Sequence, residues 1–375
     1  MGVSSPGDSR QQQPVEYVDF GSPRRPGRRR VYWLLLACLL IGATVIAVRH
    51  PGRTRRPVRP PVTVSDFGHP LLGIRQGWEL FGLDSRSVVA IQLARGRVVQ
   101  TALPPPIGEG PVSFIVGPRS AIVRPEDNVP GYLVPDTQPA RPLTGILAHG
   151  GLLLPGPHPG QVWDTVSRPN SLVLVGADGR PTTTRITLPS PNWPSDSAMS
   201  DGRGDVLVAS NSSGTQYDAG PNWLRPAGVL LTAVGPSRWL GMTCTAGICR
   251  NVVVNPVTGS QQKLPGPPVP LRTWPWPEFP GSVAPDGLTA AVVVAGSNNG
   301  QVALEEISLA SGAVKPIAVP INQNTSSQTM AWSPDSKWLF VLAASGKLLA
   351  VNSRTGKVQS LGIPLPRLSQ LAIRA

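Results

Sequence analysis

Three observations predict an all-β chain standing behind one membrane-spanning helix. From Thr63 onward the apolar residues come in short runs broken by Gly, Pro, Asn and Asp, the texture of buried strands and tight turns. No stretch of that region carries the 3.6-residue periodicity of a long amphipathic helix. Ahead of it, Val31 to Val48 (VYWLLLACLLIGATVIAV) is apolar throughout and uncharged.

Residues 1–30 are polar and punctuated by Pro and Gly. They cannot bury enough apolar surface to offset their ordering entropy and are expected to form a disordered basic tail. The run 31–48 would span about 27 Å as a helix, close to the ~30 Å hydrocarbon core of a bilayer. Arg28, Arg29 and Arg30 precede it and Arg49 follows. Leu35-Leu36-Ala37-Cys38 resembles a lipobox, but a lipid-modified cysteine normally opens a polar stretch, and Cys38 is followed by LLIGATVIAV. A cleaved signal would want a shorter leading tail and a small-residue cleavage site. The reading adopted is an uncleaved signal anchor. Residues 49–62, rich in Pro and Arg, form an extended semi-rigid linker, and residues 63–375 form the folded domain.

That domain repeats. Residues 282–319 and 331–363 each run strand, Pro-Asp turn, strand, Gly-bearing turn, strand, second Gly turn, strand; Pro285-Asp286 and Pro334-Asp335 lie 49 residues apart. Weaker echoes occupy 78–103, 113–134, 161–188, 198–210 and 239–264. Units starting roughly 40 residues apart match the four-strand blade period of a propeller. With the turns Pro285-Asp286-Gly287 and Pro334-Asp335-Ser336, the chain resembles a membrane-anchored bacterial β-propeller of the WD-repeat-like and periplasmic Tol-type families. Trp163-Asp164 does not stand at the blade end, where a WD dipeptide belongs. The resemblance implies a single β-propeller of about seven four-stranded blades and no particular activity. Leu368, Leu371 and Ile373 alternate in the terminal LSQLAIRA, an extra strand expected to close the ring on the first blade and remove two exposed sheet edges. A pair of β-sandwiches is the rival architecture.

The net charge of +13 is uneven: residues 1–60 hold eleven Arg against three carboxylates. Arginines crowding a membrane span anchor it to anionic headgroups. Nucleic-acid binding wants a basic stripe interleaved with aromatics on the folded domain, and none is present. Arginine counts on the two flanks nearly tie, so the positive-inside rule orients the helix only weakly. Cys244 and Cys249, in TCTAGIC with Ala246-Gly247 between them, would face each other across a tight turn at disulfide distance. A disulfide puts the domain outside the cytoplasm and the tail inside.

Candidate chemistry is sparse. The domain holds His69, His149 and His158, of which His149 and His158 read as loop residues, and no HExxH, GxSxG, phosphate-loop or EF-hand pattern. No catalytic residue, cofactor or metal set is assigned. Glu305-Glu306 neighbours a strand, so its carboxylates should face opposite ways into solvent. Asp201 and Asp205 flank Gly202 and Gly204, which reads as a turn, with a calcium loop as the sharper alternative. Trp274, Trp276 and Phe279, set among prolines in TWPWPEFP, offer rigid contact faces for a partner; the plainer reading has such rings filling gaps between blades. The function expected is a non-catalytic, membrane-anchored, extracytoplasmic binding or scaffold module for a protein, peptide or glycan. The alternative is a propeller-borne hydrolase or lyase.

Overall fold

The structure is a computed structural model that describes residues 62–104, 107, 112–125, 129–148, 151–168, 171–176, 178–187, 198–209, 216–218, 229–246, 248–270, 281–295, 302–322 and 327–375. The expected tail, span and all but the last residue of the linker lie outside these. Among the described residues no helix is long and apolar enough to cross a membrane.

Strands dominate, and they fall into seven successive antiparallel meanders. Unit 1 holds Glu79–Leu83, Ser87–Gln92 and Arg97–Ala102; unit 2 holds Val112–Val116, Ser120–Pro125, Tyr132–Pro135 and Arg141–Pro142. Unit 3 holds Leu153–Pro155, Val162–Arg168, Ser171–Val175 and Pro181–Thr187; unit 4 holds Ala198–Ser200, Val206–Ala209 and Gln216–Asp218. Unit 5 holds Leu230–Val234, Trp239–Thr245, Ile248–Val254 and Gln261–Lys263; unit 6 holds Gly281–Val283, Thr289–Ala295, Val302–Ser308 and Val314–Ile317. Unit 7 holds Met330–Trp332, Trp338–Leu342, Leu348–Asn352 and Val358–Ser360.

The strand sequences explain how the units pack. Successive side chains of a strand point to opposite faces of its sheet, and here both faces are covered. Leu80, Val89 and Ile91 of unit 1 join Phe340, Leu342 and Ala350 of unit 7 in one buried cluster. Phe81 and Val88, their alternates, join Val123 and Val134 of unit 2. The same division recurs between units 2 and 3, 3 and 4, 4 and 5, 5 and 6, and 6 and 7. Each junction between neighbouring units therefore has its own core, and the series returns to its start. That cyclic arrangement is propeller-like, and it excludes the paired sandwiches.

First strands of neighbouring units approach one another. Ala233 and Val234 of unit 5 bridge in parallel to Gly281 and Ser282 of unit 6, and the Leu153 N–H of unit 3 donates to Ser113 Oγ of unit 2 at 2.8 Å. Unit 1 takes its first strand from the far end of the chain. Gln370–Arg374 pairs antiparallel with Glu79–Leu83, Leu371 opposite Gly82 and Ile373 opposite Leu80, as the alternation in LSQLAIRA anticipated. On the opposite edge of this sheet Val62–Asp66 adds a fifth strand against Arg97–Ala102, so the chain is already ordered at Val62, the last residue of the expected linker. Two first strands, Leu153–Pro155 and Leu230–Val234, precede the sequence units set at 161 and 239.

Arg374 fastens the closure. Its guanidinium pairs with Glu79 and, at 2.8 Å, with Asp136, donates to Gly117 O at 3.2 Å and lies 4.7 Å over the Phe81 ring. One terminal side chain thus ties units 1 and 2 to the last strand. Deleting residues 369–375 should abolish the cooperative unfolding transition, because it opens a sheet edge and the junction core together. Arg374→Ala should keep the transition and cost about 1–3 kcal/mol, discounted from the cost of breaking a fully buried pair because the cluster is partly exposed. Denaturant unfolding followed by tryptophan fluorescence checks both.

Candidate functional site

The disulfide expected from TCTAGIC is present. Cys244 and Cys249 stand directly opposite in the register of the unit 5 hairpin, their Cα atoms 4.0 Å apart. Thr245 pairs with Ile248 where the hairpin reverses, and Ala246, next to Thr245, takes a left-handed φ of 51°. Turns of this kind match the twist of a hairpin and favour Gly or Asn over Ala, so the covalent staple holds a turn its sequence only half favours. Cys249 is buried against Leu230 and Met242, whereas Cys244 is exposed.

Val269–Pro270 pairs with Ile248 and Cys249 along the outside of this hairpin. The chain then passes through residues 271–280 to Gly281–Val283, the first strand of unit 6. Trp274, Trp276 and Phe279 lie outside the described residues, but both flanks of their segment are fixed: one on the stapled hairpin, the other at the ring axis.

Three of the described tryptophans act as ties between units. Trp163 Nε1–H of unit 3 donates to Gly204 O at 2.7 Å and Trp239 Nε1–H of unit 5 to Asp201 O at 3.0 Å, both in unit 4. Trp332 Nε1–H of unit 7 donates to Ser282 O of unit 6 at 3.0 Å. The two carbonyls in unit 4 belong to the turn Asp201–Asp205. This turn is wedged so tightly that a Cβ on Gly204 would sit 2.4 Å from Pro157 Cα, and one on Gly202 would sit 2.8 Å from Gly235 Cα. Both glycines also adopt positive φ, so the sequence Asp-Gly-Arg-Gly-Asp is required by backbone shape as well as by space.

The turn reading of Asp201 and Asp205 is the one the structure supports. Asp201 N–H donates to Asp205 O at 3.1 Å, and Asp201 Oδ1 accepts from the Arg203 and Asp205 N–H groups at 2.6 and 2.9 Å. Asp201 is fully buried and its Oδ2 has no partner among the described residues. Burial pushes its carboxyl above the usual range, partly offset by the two N–H bonds, with the charge of Asp205 adding to the push. The expectation for Glu305-Glu306 needs a correction. Glu306 is buried, facing the unit 7 side with Leu304, and burial raises both carboxyls; Lys315, paired opposite Glu306, partly offsets the shift of Glu306. Glu306 shares its face of the strand with Leu304, which packs in the core between units 6 and 7.

Of the histidines, His69 is exposed with Nδ1 at 2.7 Å from Phe67 O, His158 is exposed in the turn between the first two strands of unit 3, and His149 lies outside the described residues. The first strands of all seven units contain no His, Asp or Glu. Among the described residues no group of three or more His, Cys, Asp and Glu is placed to hold a metal.

The strongest electrostatic feature was missed in the sequence. Arg124 of unit 2 and Asp164 of unit 3 are both fully buried and meet at 3.0 Å, and Arg124 Nε–H donates to Gly151 O at 2.9 Å. Trp163-Asp164 stands in a second strand: its Trp ties unit 3 to unit 4 and its Asp ties unit 3 to unit 2. The pairing partner, 40 positions upstream, carries no local signal in SAIVRP.

No family model and no curated protein sequence matches the chain. Solved structures do resemble it. A puromycin hydrolase S511A mutant complexed with PGG is 16% identical with a TM-score of 0.48, over 76% of this chain and 52% of that one. An oligogalacturonate lyase from Vibrio parahaemolyticus is 9% identical with a TM-score of 0.48, over 76% and 95%. A catalytically inactive virginiamycin B lyase from Staphylococcus aureus is 10% identical with a TM-score of 0.43, over 76% and 97%. The likeness is one of propeller-like architecture. The chain spans about half the length of the puromycin hydrolase it matches, and none of these activities transfers to it at such identity.

Two substitutions read out the buried charges. Arg124→Ala strands a buried carboxylate and should cost about 3–5 kcal/mol, whereas Arg124→Met with Asp164→Leu should lose clearly less; chemical denaturation of both variants checks this. Asp201 is easier to protonate in the folded protein than in the unfolded chain, so its contribution is fullest below the unfolded value of ~3.9 and falls as pH rises past it. Asp201→Asn keeps an oxygen for both N–H donors and removes the titration. Its Tm relative to the parent should therefore climb between acidic and neutral pH, as thermal melts across that range will register.

Proposed function

We propose that the chain is a non-catalytic binding or scaffold module, anchored by a single membrane helix at residues 31–48 with its N-terminus in the cytoplasm. The propeller lies outside the cytoplasm and engages a protein, peptide or glycan partner. The observation that carries this reading is where most of the buried ionisable groups are spent; Glu306 is the exception, buried with an Oε2 that has no partner among the described residues. Arg124 and Asp164 hold each other, Asp201 Oδ1 serves a backbone turn, and Glu79 and Asp136 hold Arg374 at the seam. The first strands add no carboxylate or imidazole around the axis, where general acid–base chemistry would need one.

The Cys244–Cys249 bond supports the topology, since disulfides persist in oxidising compartments. The Arg28–Arg30 cluster supports an inward tail. For the contact face, support comes from the stapled hairpin and the strand Val269–Pro270, which fix one flank of the segment bearing Trp274, Trp276 and Phe279. Three aromatics in ten residues are the composition of an interface anchor.

Photo-crosslinking from intact cells with the full-length protein is the test. A partner captured by the parent and lost with Trp274→Ala and Trp276→Ala, at unchanged Tm, is the expected result. Turnover of substrates in a broad hydrolase and lyase screen, with no partner captured, would reverse the assignment in favour of the enzyme reading.

A further inference from the structure

We propose that the seam of the ring carries a docking groove for an extended peptide segment bearing apolar side chains and a carboxylate. This deepens the binding reading above, on which it rests, by naming the partner's chemistry. The groove encloses about 370 Å³, within the ~300–1,000 Å³ of small-ligand sites. One wall is the turn Ser345–Lys347 between the second and third strands of unit 7. The other is Ile363–Arg367, on the way to the closing strand. The walls are fastened to each other: Leu368 N–H donates to Gly346 O at 2.9 Å, and a Cβ on Gly346 would lie 3.1 Å from Arg367 Cβ. The groove is therefore built before any partner arrives.

Three features select the occupant. Lys347 and Arg367 are both exposed, neither side chain has a partner among the described residues, and no carboxylate lines the groove. Such a rim favours a negative group. Leu348 and Leu361 are buried beneath it, and the wall residues Ile363 and Leu365, each followed by a proline, are half-buried. A lone inorganic anion would leave that apolar surface uncovered, as would an uncharged glycan.

The third feature is the backbone. Ile363 and Leu365 each precede a proline, which restricts them to extended conformations, and Pro364 and Pro366 have fixed φ. The N–H groups of Ile363, Leu365 and Arg367 donate to nothing among the described residues. An extended run with free donors is an edge that an added strand can pair, while its side chains fill apolar pockets. A peptide supplies the carbonyls, the apolar groups and the carboxylate at once.

The full-length protein in detergent micelles is titrated by fluorescence anisotropy with two pools of fluorescein-labelled hexapeptide amides. Both carry five positions drawn from Leu, Val, Ile and Pro; the sixth is Asp in one pool and Asn in the other. The Asp pool should bind about tenfold more tightly, with the advantage shrinking between about 0.05 and about 0.5 M salt. Lys347→Glu with Arg367→Glu, both exposed positions, should erase that advantage at unchanged Tm. Equal binding of the two pools, or an Asp preference that survives the double reversal, overturns the groove. If the pools fail while a cellular partner is still captured through Trp274 and Trp276, the groove is wrong and the binding reading stands. If capture fails while the pools still discriminate, the groove stands and the aromatic contact face falls.

Discussion

Burial on both faces of the inner strands of each unit is the constraint from which the other features follow. A strand such as Trp338–Leu342 sends Leu339 and Val341 toward unit 6 and Phe340 and Leu342 toward unit 1. Neither face can be left to water, so each unit needs two neighbours, and a row of such units is stable only when its ends meet. The closing strand Gln370–Arg374 meets that demand with main-chain pairing to Glu79–Leu83 and with the Arg374 cluster. Side chains that cross the junctions add direction to a cohesion that is otherwise non-directional. Trp163, Trp239 and Trp332 each place an indole N–H on a carbonyl of a neighbouring unit, and Ser336 Oγ accepts the Asp286 N–H at 3.0 Å.

Much of this was legible because turns and alternation are local. The Pro-Asp turns at 285 and 334 lie between the first and second strands of units 6 and 7, where Gly287 and Ser336 both adopt positive φ. The alternating Leu371 and Ile373 marked the closing strand. What the sequence hid is non-local. Arg124 stands in an apolar strand with nothing nearby to announce a partner on another unit. Glu306 looks like a solvated residue until the neighbouring unit covers it. The fifth strand at Val62–Asp66 follows a Pro/Arg stretch whose composition signals a linker, and its side chains are mostly exposed, so no apolar pattern marks it.

The candidate site divides the same way. The disulfide was readable because its two cysteines sit across one turn. The groove at the seam was not, since its walls come from a turn of unit 7 and the run leading to the strand that completes unit 1, and only ring closure brings that strand to the start of the chain. The proposed binding faces are thus by-products of architecture: chain ends and connections that need not carry the fold are free to present Trp, Pro and cationic side chains, while the Arg124–Asp164 pair and the Arg374 cluster hold units together.

Native-state hydrogen exchange of the Gln370–Arg374 amides tests the closed ring most directly. The account predicts that these amides are protected as strongly as those of Trp338–Leu342 and open only with global unfolding. Exchange at the rate of a free chain terminus, with the remaining strands still protected, would contradict it.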